Sequence, residues 1–151
     1  MSTTNEKNTA TLLHLSTLSQ YIIPFGNYIF PIIIWSSKKN DSEFVDCNGK
    51  QVLNFQLSIL LYSLLLLLIV IPILIFTVLK NITYNEVFHN HEIMFNHFKH
   101  ENLTGVIILG VTAVLIFGFL KVIEFILIIN GAVKASNGEN YKYPMSIPFF
   151  K

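Results

Sequence analysis

No arginine occurs in this 151-residue chain; every one of its ten basic side chains is lysine. That removes the planar, bidentate guanidinium fork by which proteins commonly read phosphates and base edges. Nine acidic residues offset the lysines to a formal net charge of +1, so no strong field draws nucleic acid or an acidic partner. The lone cysteine, Cys47, excludes an internal disulfide and any cysteine-rich metal site. Also missing are a glycine-rich phosphate fingerprint, a Walker lysine motif and a nucleic-acid-binding module. The opening MSTTNEKNTA lacks the basic region, apolar core and cleavage site of a signal peptide, so the first apolar helix is expected to act as the insertion signal.

What is abundant is apolar surface. Hydrophobic residues make up 52% of the chain, and the mean hydropathy is +0.56. No charge falls between Val52 and Leu79, and Ile59 to Phe76 is almost wholly apolar. Eighteen or more such residues suffice to cross a hydrocarbon core of roughly 30 Å as a helix. The fold class expected is all-α, a polytopic helical membrane bundle with three main apolar regions.

Residues 1–10 read as a disordered polar tail ahead of an integral membrane domain over 11–151. The first apolar region, Thr11 to Trp35, would extend about 37 Å as one helix. Pro24-Phe-Gly-Asn27 and Pro31 interrupt it. It is therefore either one kinked span or an amphipathic or re-entrant half joined to a short apolar half, which would give four segments. A polar turn follows at 36–50. The second region runs from about Gln51 to Leu79, with Pro72 as a kink. Its Asn54, Ser58 and Tyr62 recur every four residues and form a polar stripe that should meet protein or head groups. A polar insertion at 80–102 carries Val87, Met94 and Phe98 at helical spacing, consistent with a short interfacial helix. The third region, Leu103 to Lys134, would extend about 48 Å and needs tilt, an interfacial extension or a break. Asn137-Gly138 reads as a turn, Pro144 and Pro148 oppose further helix, and Tyr141, Tyr143, Phe149 and Phe150 read as interfacial anchors.

Lysines near the span ends set the expected orientation. With three crossings, Lys7, Lys80 and Lys99 oppose Lys38, Lys39, Lys50, Lys134, Lys142 and Lys151. If the first region is re-entrant, Lys7 joins the larger group, and the bias becomes seven against two. Both topologies put the 36–50 turn and the carboxyl-terminal segment in the cytoplasm of a multi-pass cell-membrane protein.

Three constellations are candidates for chemistry. Lys121 and Glu124, an ionisable pair at i and i+3 in the longest apolar run, suit either an ion or proton relay involving Asn130, or a polar clamp. The bland reading is the stronger, because Lys121 can snorkel. His97, His100 and Glu101 have the ligand types for zinc, but the insertion lacks an HExxH spacing. No metal or other cofactor is expected. Cys47 and His14 would make a nucleophile and base, yet nothing in the sequence brings them together, and no hydrolase pattern is present. The protein is expected not to be an enzyme.

Several ordered polar motifs occur at both ends. They include Leu12-x-His14, Pro24-Phe-Gly26-Asn27, Ile32-Ile-Ile-Trp35, Phe44-Val-Asp46, Gly49-Lys50 and Leu53-Asn54-Phe55-Gln56. Gly131-Ala-Val-Lys134, Asn137-Gly138-Glu139 and Tyr141-Lys-Tyr143-Pro144 follow at the far end. On these the chain resembles a family of small prokaryotic membrane proteins of unknown function, grouped with bacterial relatives of a chloroplast inner-envelope protein-import component. The resemblance covers about residues 11–150, with the 80–102 insertion as a departure. It implies a compact helical domain of the prokaryotic inner membrane and no settled activity. The resulting expectation is a non-enzymatic integral membrane protein of unassigned function. The alternatives are a small transporter or protein-translocation component, and a membrane-surface module that binds lipid or a partner. Expected partners are the lipid bilayer and a membrane protein or second copy, with no nucleic acid.

Overall fold

The computed structural model describes residues 2–80 and 100–151. All regular structure among them is helical. The elements are α1 (Thr4–Ser16), a 3-10 turn (Thr17–Tyr21), α2 (Gly26–Lys38), α3 (Glu43–Lys80) and α4 (His100–Ser136). The insertion expected to form an interfacial helix, and His97 within it, lie outside the described residues, as do the side chains of His100 and Glu101.

Each boundary has a local cause. Thr3 accepts from the Glu6 backbone amide while the Glu6 carboxylate accepts from the Thr3 amide, a capping box that starts α1. Residues 4–10 are therefore helical, not the disordered tail expected from their polarity. The first apolar region is not one helix. Phe25 adopts a left-handed conformation at φ 61°, and α2 restarts at Gly26. A Cβ on Gly26 would lie 3.0 Å from the Ser19 backbone, so the chain doubles back at a residue with no side chain. Of the two readings of this region, the broken one describes the fold. At 13 residues, α2 rises only about 20 Å, too little to cross a bilayer.

α3 opens with Ser42 accepting from the Val45 amide, and Glu43 and Asp46 lie in its first turn, where the helix dipole favours negative charge. α4 ends in a Schellman motif. Gly138 sits at φ 83°, its amide bonds Ala135 O at 3.0 Å, and the Glu139 amide bonds Lys134 O at 3.0 Å. The turn expected at Asn137-Gly138 is this cap.

The chain forms two compact units, one from Met1–Tyr62 with Lys121–Lys151, the other from Ser63–Leu120. The first has a true core. Leu13, Val45, Val52, Phe55, Ile128 and Tyr143 are buried together, and the Phe55 and Tyr143 rings stack with centroids 4.1 Å apart. The second is built from the apolar limbs of α3 and α4, whose Leu64, Leu68, Phe76, Val114, Leu115 and Phe119 are exposed. Among the described residues, two helices are long and apolar enough to cross a membrane, Glu43–Phe76 and Ile107–Ser136. Only 6% and 11% of their most apolar windows are buried within the protein. A soluble core helix would bury that face. Three spanning regions are not found among the described residues.

Candidate functional site

The first unit encloses an unusual number of polar side chains. His14, Thr17, Asn48, Gln56, Ser58 and Glu124 are fully buried, and Asn27 and Asn54 nearly so. Burying such groups is costly unless each finds a partner, so their pairing determines what the unit can do.

At the centre His14, from the last turn of α1, bridges α3 and the carboxyl-terminal segment. Its Nδ1 lies 2.7 Å from the Tyr143 hydroxyl and its Nε2 lies 3.1 Å from Asn48 Oδ1. The Asn48 amide donates to Phe44 O and to Asn140 Oδ1, so Oδ1 is left to accept from the histidine. The bonds thus assign the neutral tautomer with the proton on Nε2, and the tyrosine hydroxyl donates to Nδ1. Burial pulls the His14 pKa down to about 4, with the Asn48 bond opposing, and pushes the Tyr143 phenol upward. Both ring nitrogens are taken, which leaves His14 without a role toward Cys47. The sequence offers His14 as a base for Cys47 and as a motif residue, and Tyr143 as an interfacial anchor. Tyr143 is instead buried against Phe55. No local signal links two residues 129 positions apart.

The Asn54, Ser58 and Tyr62 stripe does meet protein, namely the non-helical segment after Pro144. Asn54 Oδ1 accepts from the Phe149 and Phe150 amides at 3.0 and 2.8 Å, and its Nδ2 donates to Phe150 O at 3.0 Å. Ser58 Oγ accepts from the Ile147 amide at 2.8 Å, and the Tyr62 hydroxyl donates to Met145 O at 2.8 Å. Three side chains one helical turn apart thereby replace the sheet or helix that residues 145–150 lack.

Lys121 and Glu124 are paired at 2.7 Å, and Gln20 completes the group, donating from Nε2 to Glu124 at 3.0 Å and accepting from Lys121 at 3.2 Å. Asn130, once a candidate for a relay with them, is exposed. The arrangement ties α4 to the 3-10 turn, which is the geometry of a clamp.

The remaining singled-out positions divide between backbone and surface roles. Pro24 is exposed at the chain reversal, Gly26 permits it, and buried Asn27 donates to Gln56 Oε1 at 2.7 Å. Asp46 pairs with Lys50 at 2.7 Å and accepts from Trp35 Nε1 at 2.8 Å. Lys134 pairs with Glu139 across the α4 cap. Asp46–Lys50 and Lys134–Glu139 form two charged motifs. Each pairs within itself, and the bond between Asn48 and Asn140 joins their neighbourhoods instead.

Two long helices with outward apolar faces, together with a separate polar-cored unit, fit a membrane protein. The chain belongs to the magnetosome magnetite crystal formation protein family (MamF/MmsF), whose profile it matches over residues 5–150. This overturns the resemblance to relatives of the chloroplast import component, and with it any support for a role in protein translocation. The quoted motifs identify a buried polar architecture, and that architecture carries no import function of its own. No curated protein and no solved structure matches the chain significantly.

Proposed function

We propose that the protein is a two-crossing integral membrane protein of the magnetosome membrane that acts non-catalytically in magnetite crystal formation. The observation that carries the membrane part is the outward apolar surface of α3 and α4, which only lipid tails or another apolar surface would cover. The limb of α3 from Ser63 to Lys80 rises about 27 Å, close to the thickness of a hydrocarbon core. The break at Phe25 makes α1 and α2 a re-entrant pair, with Ile22, Phe25, Ile29 and Ile33 exposed toward acyl chains. Lysines then favour a cytoplasmic 36–50 turn, amino-terminal segment and carboxyl-terminal segment by seven to two. The crystal-formation part comes from the family.

A non-catalytic role is supported by the state of the buried groups. His14 is engaged at both nitrogens, and Glu124 is bonded to Gln20 and Lys121. These are satisfied packing contacts, without a nucleophile poised beside a base.

Two measurements test the reading. In a Cys47→Ser background, Asn40→Cys should react with a membrane-impermeant thiol reagent in inverted vesicles and stay unreactive in intact spheroplasts. The opposite pattern reverses the orientation. In a magnetosome-forming host, replacing the resident family member by this chain should restore crystal size seen by electron microscopy. Restoration that fails despite correct insertion refutes the crystal-formation role.

A further inference from the structure

The end of α2, the first turns of α3 and residues 149–151 frame an open surface cleft of about 450 Å³, lined in part by Trp35, Lys39, Asp46, Lys50, Phe150 and Lys151. Its size falls in the range of about 300–1,000 Å³ typical of small-molecule sites. Its walls combine two chemistries. The aromatic wall is fixed, since Trp35 donates to Asp46 Oδ1 at 2.8 Å and meets the Phe150 ring edge-on at 5.7 Å. Gly49 supplies the room for the indole, because any side chain there would intrude on the Trp35 ring.

The charged wall is unbalanced. Three lysine side chains line the cleft against one side-chain carboxylate. Both oxygens of that carboxylate are already engaged, Oδ1 by the indole and Oδ2 by Lys50 at 2.7 Å. Lys39 holds its ammonium 4.9 Å from the centre of the Trp35 ring, and the Lys39 and Lys151 side chains are exposed. Positive charge beside a tryptophan and a phenylalanine is the composition that membrane–water interfaces favour.

We infer that this cleft binds a phosphate-bearing anion, supplied at the membrane surface by the headgroup of an anionic phospholipid. Lys39 and Lys151 provide the charge, and Lys50, neutralised by Asp46, is held beside them as a hydrogen-bond donor. The absence of arginine makes this a site of point charges, and its selectivity rests on net charge and on the aromatic wall. The inference rests on the proposed interfacial placement only for the source of the phosphate; the pocket chemistry is independent of orientation.

Trp35 is the only tryptophan, so its emission reports the pocket directly. The full chain in neutral detergent is titrated with short-chain phosphatidylglycerol, with phosphatidylcholine, and separately with inorganic phosphate at constant ionic strength. Phosphatidylglycerol should give a saturable change that phosphatidylcholine does not match. The Lys39→Gln/Lys151→Gln double variant should weaken it by roughly thirtyfold, from about 1 kcal/mol per lysine at an anionic surface. Lys142→Gln, a lysine outside the cleft, should leave it unchanged. Saturation by inorganic phosphate with the same dependence on the two lysines supports the anion site and identifies free phosphate as a sufficient source. Absence of a saturable change in both the phosphatidylglycerol and phosphate arms, or a double variant that titrates like the parent, overturns the assignment. Both substituted side chains are exposed, so unchanged far-ultraviolet helicity is expected, and Lys39→Gln alone serves as a milder variant. A reversed orientation in the thiol-labelling experiment would not alter these titrations, so the two readings fail separately.

Discussion

Acidification should loosen the junction of α1, α3 and the carboxyl-terminal segment, and His14 should be the cause. In the folded protein His14 stays neutral down to about pH 4, against an ordinary value of 6.5. As pH falls from 6.5, the unfolded chain takes up a proton that the folded protein refuses. Stability is therefore full above pH 6.5, declines between 6.5 and about 4, and levels off below. The difference corresponds to about 3 kcal/mol, an upper bound because local opening lets water reach the ring. The bonds give a second reason for the cost. A protonated imidazole donates from both nitrogens, whereas Tyr143 now donates to Nδ1 and would have to turn its hydroxyl away.

The assay is chemical denaturation in mild detergent at a series of pH values, followed by Trp35 emission. His14→Gln is the informative variant. Its amide can accept from Tyr143 and donate to Asn48, so the bonds survive while the titration is removed. The parent should lose about 3 kcal/mol between pH 7 and pH 4 beyond whatever His14→Gln loses. Subtraction removes contributions shared by both proteins, including Glu6, whose pKa is held below the ordinary carboxylate value chiefly by the Thr3 backbone amide. Equal pH dependence in the two proteins would refute the reasoning, because some other group would then carry the linkage.

Gly131→Ala should be destabilising by roughly 1–3 kcal/mol, because a Cβ there would lie 2.6 Å from His14 Nδ1 and 2.8 Å from the Tyr143 hydroxyl. Gly110→Ala, which has open space around it, should instead be neutral or stabilising by up to about 1 kcal/mol, and thermal melts of the two variants provide the comparison. Asn54→Ala removes three hydrogen bonds to residues 149 and 150, so amides of 145–151 should exchange with deuterium markedly faster while those of α1 stay protected. Glu124→Ala should lower stability by roughly 1–3 kcal/mol in detergent, less than the roughly 3–5 kcal/mol for a fully buried pair, because Lys121 is 31% exposed and can turn to solvent. Adding Lys121→Ala should then cost little more, and a double variant as destabilised as two independent losses would argue against the clamp.

The parts of the fold legible in the sequence were those specified locally. Long apolar runs give α3 and α4 their length, and Asn137-Gly138 gives the α4 cap because glycine suits the left-handed position a Schellman motif requires. The period of four in Asn54, Ser58 and Tyr62 shows that they share a face, but the partner of that face lies about ninety residues away and has no periodicity to announce it. The first apolar region shows the limit most plainly. Pro24 and Gly26 signal a disruption, yet a kink and a reversal differ by the dihedral of Phe25, a bulky residue that composition would not place at positive φ. Residues 4–10 were misjudged for the opposite reason. Their polarity hid a capping box in which Thr3 and Glu6 each satisfy the other's backbone.

Several residues of the motifs that first suggested a relative of the import machinery line the interior of one polar-cored unit. His14, Asn27, Asn54, Gln56, Gly131 and Tyr143 are all buried, and Gly131 is small because His14 and Tyr143 occupy the space its side chain would need. Such a signature reports how α1, α2 and the non-helical carboxyl-terminal segment are fastened to α3 and α4. It is silent on what the exposed face does. That separation explains how ordered motifs at both ends of a chain can be read correctly as architecture and still be attached to the wrong family. It also locates where function should be sought. Within the first unit the interior is committed to packing. One exposed place with chemistry of its own is the lysine- and tryptophan-lined cleft, where substitutions can change binding without touching the core.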